Sequence, residues 1–137
     1  MGVTLHSVEV SSPNEFTSAF AAMTRERPDA LIVTGDPMHR LHVGQSIAFA
    51  AEHRLSLMSN TKEDALGGAL LSYGASPHEN FKRLAWYVDK IVHGAKPRDL
   101  PVEQPMKCEL VINLKTAQAL GLTMPPTLLL QADKVIQ

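Results

Sequence analysis

Short apolar runs bounded by turn residues alternate with stretches of helical period, and this alternation constrains the fold more than any other feature of the chain. Ala30-Leu31-Ile32-Val33-Thr34 is the clearest run. It is continuous rather than alternating, as expected of a strand buried on both faces of a parallel sheet. Gly35-Asp36-Pro37 ends it. Val3–Val10, Leu55–Met58, Ala69–Tyr73 and the run from Lys107 to Ile112 are further strand candidates.

Helical patterns fill the intervals. Ser12-Pro13-Asn14-Glu15 reads as a capping box with proline at the first helical position. Phe16, Ala19, Phe20 and Met23 then share one face, and the helix should stop before Pro28. A second helix is expected from about Met38 to His53, burying Val43, Ile47, Ala50 and Ala51. Thr61 to Leu66 makes one or two turns. Ser76-Pro77-His78-Glu79 repeats the capping box and opens the clearest helix, with Phe81, Leu84, Ala85, Val88, Ile91 and Val92 on one face. Gly94 supplies its stop. Lys96–Pro105 carries three prolines and little periodicity, so it reads as a connector. Asn113 caps a helix through Leu120, closed by Gly121, and Pro125-Pro126 introduces a last element from Thr127 to Ile136. This order predicts an α/β fold: an open, mostly parallel sheet with helices on both faces.

Composition excludes several classes. With 137 residues the chain is one domain's worth, and 45% hydrophobic against 20% charged residues is ordinary globular usage. A net charge of −1 excludes a strongly basic nucleic-acid binder. No apolar run approaches the roughly 18–20 residues of a membrane span. Cys108 is the single cysteine, which rules out an internal disulfide framework. Met1 to His6 has neither the basic nor the apolar region of an export signal, so the chain as written reads as cytoplasmic.

Ligands of open α/β sheets bind at the carboxyl ends of the strands, beside helix N-termini. Ser11-Ser12, Thr34-Gly35-Asp36-Pro37 and Ser59-Asn60-Thr61 occupy such ends. Hydroxyls and helix N-termini suit a carboxylate or phosphate, and an Asp suits an ammonium group. The same residues are also ordinary caps and turn formers. Asp36 stands where a phospho-acceptor would, but Ser11-Ser12 replace the acidic partner a metal would need. His39 and His42 are too few for a metal site and read as exposed helix histidines. Cys108 alternates with Leu110 and Ile112 and reads as a buried structural thiol. No catalytic or metal residues, and no cofactor, emerge from the pattern.

The tail is more specific. Pro101-Val102-Glu103-Gln104-Pro105 leads into Glu109-Leu110-Val111-Ile112-Asn113-Leu114-Lys115-Thr116-Ala117, then Ala119-Leu120-Gly121-Leu122-Thr123 and Pro125-Pro126. Arg27-Pro28-Asp29-Ala30-Leu31-Ile32-Val33, Tyr87-Val88-Asp89-Lys90-Ile91 and Gly94-Ala95-Lys96-Pro97 agree with it. Together they resemble the C-terminal half of ABC-transporter substrate-binding proteins of the tryptophan/tyrosine type. That resemblance implies a type I periplasmic binding protein fold, in which two α/β lobes close on a small solute such as an amino acid and deliver it to a membrane permease. It implies a non-enzymatic, periplasmic protein.

Residues 1–66 would form the C-terminal-lobe core. Residues 67–95 would be a strand and helix of the other lobe, 96–106 a hinge, and 107–137 the returning strand, helix and tail. Thr34, Gly35, Asp36, Asn60 and Tyr73 would face the ligand, with Asp36 meeting an ammonium group and Tyr73 stacking. The helix Ser76–His93 would expose an apolar stripe, which leads to the expectation of a homodimer through it. The competing reading of the residues is a small cytosolic flavodoxin-like enzyme or sensor using Asp36.

Overall fold

The structure is a computed structural model and describes residues 2–105 and 107–137. Five strands form one sheet in the order β1-β2-β3-β4-β5. They are β1 (Ala30–Ile32), β2 (Ser56–Ser59), β3 (Leu71–Ala75), β4 (Cys108–Asn113) and β5 (Lys134–Ile136). Helices α1 (Phe16–Glu26), α2 (Pro37–Glu52), α3 (Lys62–Leu66), α4 (Pro77–Val92), α5 (Leu114–Leu120) and α6 (Pro126–Gln131) fill the connections. Crossovers through α2 and α3 make β1, β2 and β3 parallel. The long excursion through α4 brings the chain back antiparallel, so Ala75 pairs with Cys108 and Leu71 with Ile112. β5 then adds parallel to β4. This is the mostly parallel open sheet that the alternation predicts.

The core lies between α2 and the first strands. Val33, Ala50, Leu57 and Ala69 pack together, with Leu31, Ile47 and Leu55 against them. Burying a side chain of leucine or valine size contributes roughly 1.5–3 kcal/mol. Val111 and Ile112 are adjacent in β4 yet both buried, so that strand is covered on both faces there. α1 packs on α2 through aromatic rings: Phe20 stacks on Phe49 at 4.5 Å, and Phe16 lies 5.8 Å from Phe20.

Several expectations need correction. Val3–Val10 forms no strand. None of its backbone groups forms a hydrogen bond to another segment, and Val3 and Leu5 are exposed. β1 is an edge strand rather than one buried on both faces, and Ile32 is 61% exposed. β3 is the middle strand of the sheet, hydrogen-bonded to β2 and β4. Cys108 is exposed, because β4 starts with it at the sheet's end rather than over the core. α2 buries Ser46, Phe49 and Ala50, whereas Ala51 is exposed. The tail divides into α6 and β5, because Ala132 turns extended and releases the chain to pair with β4.

The capping boxes are half formed. Glu15 turns back to accept from the Ser11 N–H at 2.8 Å and the Ser12 hydroxyl at 2.9 Å, so its carboxyl is held below the usual range, chiefly by Ser11. Ser12 itself caps nothing by side chain. Ser76 is buried without a capping bond, and Glu79 pairs with Lys82 instead.

Candidate functional site

Parallel pairing puts the carboxyl ends of β1, β2 and β3 on one rim. The chain leaves β1 through Val33 and Thr34, and the Asp36 N–H donates to the Thr34 carbonyl at 3.1 Å in a tight turn. It leaves β2 directly into Asn60, which sits between two glycines. A Cβ at Gly35 would overlap the Asn60 side-chain amide, and a Cβ at Gly74 would overlap the Asn60 carbonyl oxygen. Gly74 must therefore stay glycine, because the atom in its way is backbone, whereas a side chain at Gly35 would require the Asn60 amide to swing aside. Gly74 is a rim residue that the sequence reading missed; its only signal was a glycine inside a strand pattern, which marks close backbone approach.

Of the expected residues, Gly35 and Asn60 meet here, while Thr34 stands just before Gly35 after β1 and Tyr73 just before Gly74 in β3. Thr34 and Gly35 are exposed, Asn60 is half-buried and Tyr73 is 53% exposed.

Asp36 is more committed than its sequence position shows. Its Oδ1 accepts from the N–H groups of Met38 at 2.9 Å and His39 at 3.1 Å, which makes it the N-cap of α2, with Pro37 at the first helical position. Its Oδ2 pairs with His39 Nδ1. The His39 backbone N–H, first among the causes, holds the carboxyl below its ordinary range. The Asp-Pro pair before a helix was the available signal for this cap. His39 and His42 are not free surface histidines: both rings pack on Phe16, at 5.8 and 5.3 Å.

The rim is open. A groove of about 490 Å³ lies elsewhere, lined by Leu114, Ala117, Leu122, Met124 and Leu129 among others. A smaller hollow of about 140 Å³ lies under Met23, Phe49 and His53. Neither includes any of the five expected residues. Among the described residues no group of three or more His, Cys, Asp or Glu side chains could hold a metal. Nor, among the described residues, is any helix long and apolar enough to cross a membrane.

The family model described as ABC transporter substrate binding protein matches residues 1–136. No curated protein matches the chain. Among solved structures, the chain is similar to the ABC domain in complex with L-Trp from Streptococcus pneumonia, with 28% identity and a TM-score of 0.90 over 98% of this chain and 45% of that one. It is also similar to a conserved domain protein from Vibrio cholerae, with 25% identity and a TM-score of 0.81 over 89% of this chain and 41% of that one. A ligand-free, open substrate binding protein with adhesive properties from Clostridium difficile shares the fold, at 19% identity and a TM-score of 0.63 over 93% of this chain and 42% of that one. The chain thus spans less than half the length of each of these structures.

Proposed function

The chain belongs to the ABC transporter substrate binding protein family, and from that premise we propose that it supplies one wall of a cleft that binds a small solute for an ABC importer. The observation that carries this reading is the rim where Gly35, Asn60 and Gly74 bring three strand ends into contact. It gathers hydroxyl, amide, carboxylate and aromatic groups at the edge of the sheet where α/β folds take ligands.

An amino acid fits these groups. The one lone pair of Asp36 Oδ2 that His39 leaves unused would receive the ammonium, Thr34 and Gly35 would donate to the ligand carboxylate, Asn60 would bridge, and the exposed Tyr73 ring would stack on the side chain. The neighbour solved with L-Trp supports this class of ligand. Because the chain covers 45% of that neighbour, the opposing wall comes from polypeptide outside these 137 residues or from a second copy.

α4 supports the second-copy reading. Phe81, Leu84, Val88, Ile91 and Val92 are all exposed along one side. Two such stripes packed together would give a homodimer through the Ser76–His93 helix. Residues 76–105 would then act as the element of the opposite lobe, beside the wall formed by the sheet. The permease partner and a site of action outside the cytoplasmic membrane follow from the same family role. Asp36 as a phospho-acceptor in an enzyme or sensor has less in its favour, since both carboxylate oxygens are engaged in capping and with His39.

Calorimetric titration of the 137-residue protein with the natural L-amino acids tests the reading. Saturable binding by one or a few, weakened at least about tenfold in Asp36→Asn and in Tyr73→Ala, is the expected result. Binding that is indifferent to both substitutions would remove the rim from consideration.

A further inference from the structure

Helix α4 carries two distinct sides. Its apolar stripe is uncovered, whereas Arg83, Trp86 and Tyr87, spaced at helical intervals, engage the connector that follows. Arg83 donates through Nε and Nη2 to both carboxylate oxygens of Glu103. Its guanidinium also lies 3.8 Å from the Trp86 ring centre and 5.2 Å from that of Tyr87. The Tyr87 hydroxyl donates to the Pro101 carbonyl at 2.7 Å. The Trp86 and Tyr87 rings meet edge to face at 5.1 Å.

The register of these contacts matters. From Tyr87 back to Arg83 is four residues of helix, a rise of about 6 Å. From Pro101 on to Glu103 is two residues of extended chain, about 6.6 Å. The two spans match, so the connector runs antiparallel along α4 like a strap. It returns to where the helix began: the Ser76 N–H donates to the Lys107 carbonyl at 3.4 Å, and Ala75 pairs with Cys108. No residue of α4 is buried.

We propose that α4 and residues 97–103 form one rigid arm, locked by Arg83 and Tyr87, that joins the sheet only at the adjacent ends of β3 and β4. The bidentate fork fixes both distance and angle, which a lysine at the same place would not do. The two prolines that flank Val102, Glu103 and Gln104 keep the strap extended, so little chain entropy is lost in laying it down. Any movement of the arm then concentrates in the short crossing at Ala75-Ser76 and at Lys107, and the apolar stripe moves as a unit with it. This arrangement is independent of which solute the rim takes.

Backbone hydrogen exchange on the 137-residue protein tests the lock without any ligand. Arg83→Gln, Glu103→Gln and the milder Tyr87→Phe should each speed exchange at Asp99 and Leu100, the strap residues whose N–H groups are hydrogen-bonded, and in the second half of α4, by roughly tenfold for the ion-pair variants. Amides of β3 and β4 serve as the internal control and should not change. The reversed pair, Arg83→Glu with Glu103→Arg, should recover part of the protection. Unchanged exchange in the strap for both ion-pair variants would overturn the proposal, because the pair would then be an ordinary surface contact. So would an equal rise in the strap and in β3 and β4, which would mean that the pair holds the whole fold. A strap that loosens while α4 does not would show two independent pieces and equally end it.

Discussion

α2 and α4 are each sixteen residues long, and the one with the poorer helical pattern is the one that is buried. α2 spreads its apolar residues almost evenly round its axis, yet Ser46, Phe49 and Ala50 are buried and the core is built on it. α4 gathers Phe81, Leu84, Val88 and Ile91 on one side, yet Phe81 is 70% exposed and no residue of the helix is buried. α2 is enclosed by the sheet beneath and α1 above, so it needs apolar contact on two sides and shows no single stripe. α4 has a stripe shaped for one surface that this chain alone does not supply. Amphipathic periodicity therefore reports what a helix is selected to cover, and burial reports what is there to be covered.

Truncating one phenylalanine on each helix sharpens this contrast, and it carries the largest expected effect. Phe49→Ala should lower unfolding free energy by about 3–5 kcal/mol in urea titration, since Phe49 joins α1 to the core through Phe20. Phe81→Ala should cost less than about 0.5 kcal/mol at concentrations where the protein is monomeric. A comparable loss in both, rising with protein concentration for Phe81, would break the contrast and place a second copy on α4.

Glycine 74 comes next. A methyl group there meets the Asn60 backbone, which cannot swing aside as a side-chain tip can. Gly74→Ala should destabilise by about 1–3 kcal/mol. It should also disturb the amide resonances of Gly35 and Asn60, although neither is near in sequence. The same substitution at Gly44, in the middle of α2, meets nothing within 4 Å. It should stabilise by about 0.5–1 kcal/mol through helix propensity alone.

The Asp36 cap gives a pH signature. Its folded pKa is depressed, so the stability it adds is present above the unfolded value, near about 3.9, and is lost as pH falls through the folded value. Asp36→Asn should therefore melt below wild type at neutral pH. The gap should close progressively below about pH 4. A gap that is constant from pH 7 to pH 3 would show that the charge contributes nothing to the cap.

The smallest expected effect belongs to Ser72, whose side-chain oxygen is buried without a partner. Ser72→Ala should be neutral or stabilising by up to about 1 kcal/mol. Clear destabilisation would reveal a hydrogen bond to a bound water.

The rim was more legible in the sequence than its wiring. Asp36 was readable as a strand-end acid, but not as a cap with both oxygens engaged, because that depends on the helix starting at Pro37 and on His39 turning back toward it. Asn60 was readable as a strand-end amide, but its place between Gly35 and Gly74 depends on three strands that are far apart in sequence. Cys108 misled because alternation with Leu110 and Ile112 says which face a residue takes, not how far along the strand the covering layer reaches.

Local physics determined the element types: proline and glycine set the stops, and apolar spacing separated helix from strand. The same physics determined the mostly parallel class, since crossovers through helices leave few other arrangements. Only the tertiary structure decided which elements found partners. Val3–Val10 has strand chemistry and no backbone hydrogen bond to a strand, and β3 became the middle of the sheet because both β2 and β4 reach it. α4 has a core-facing pattern and faces solvent. A side chain carries its preference for burial wherever it goes, but burial requires a second surface, and that surface is a property of the assembled chain.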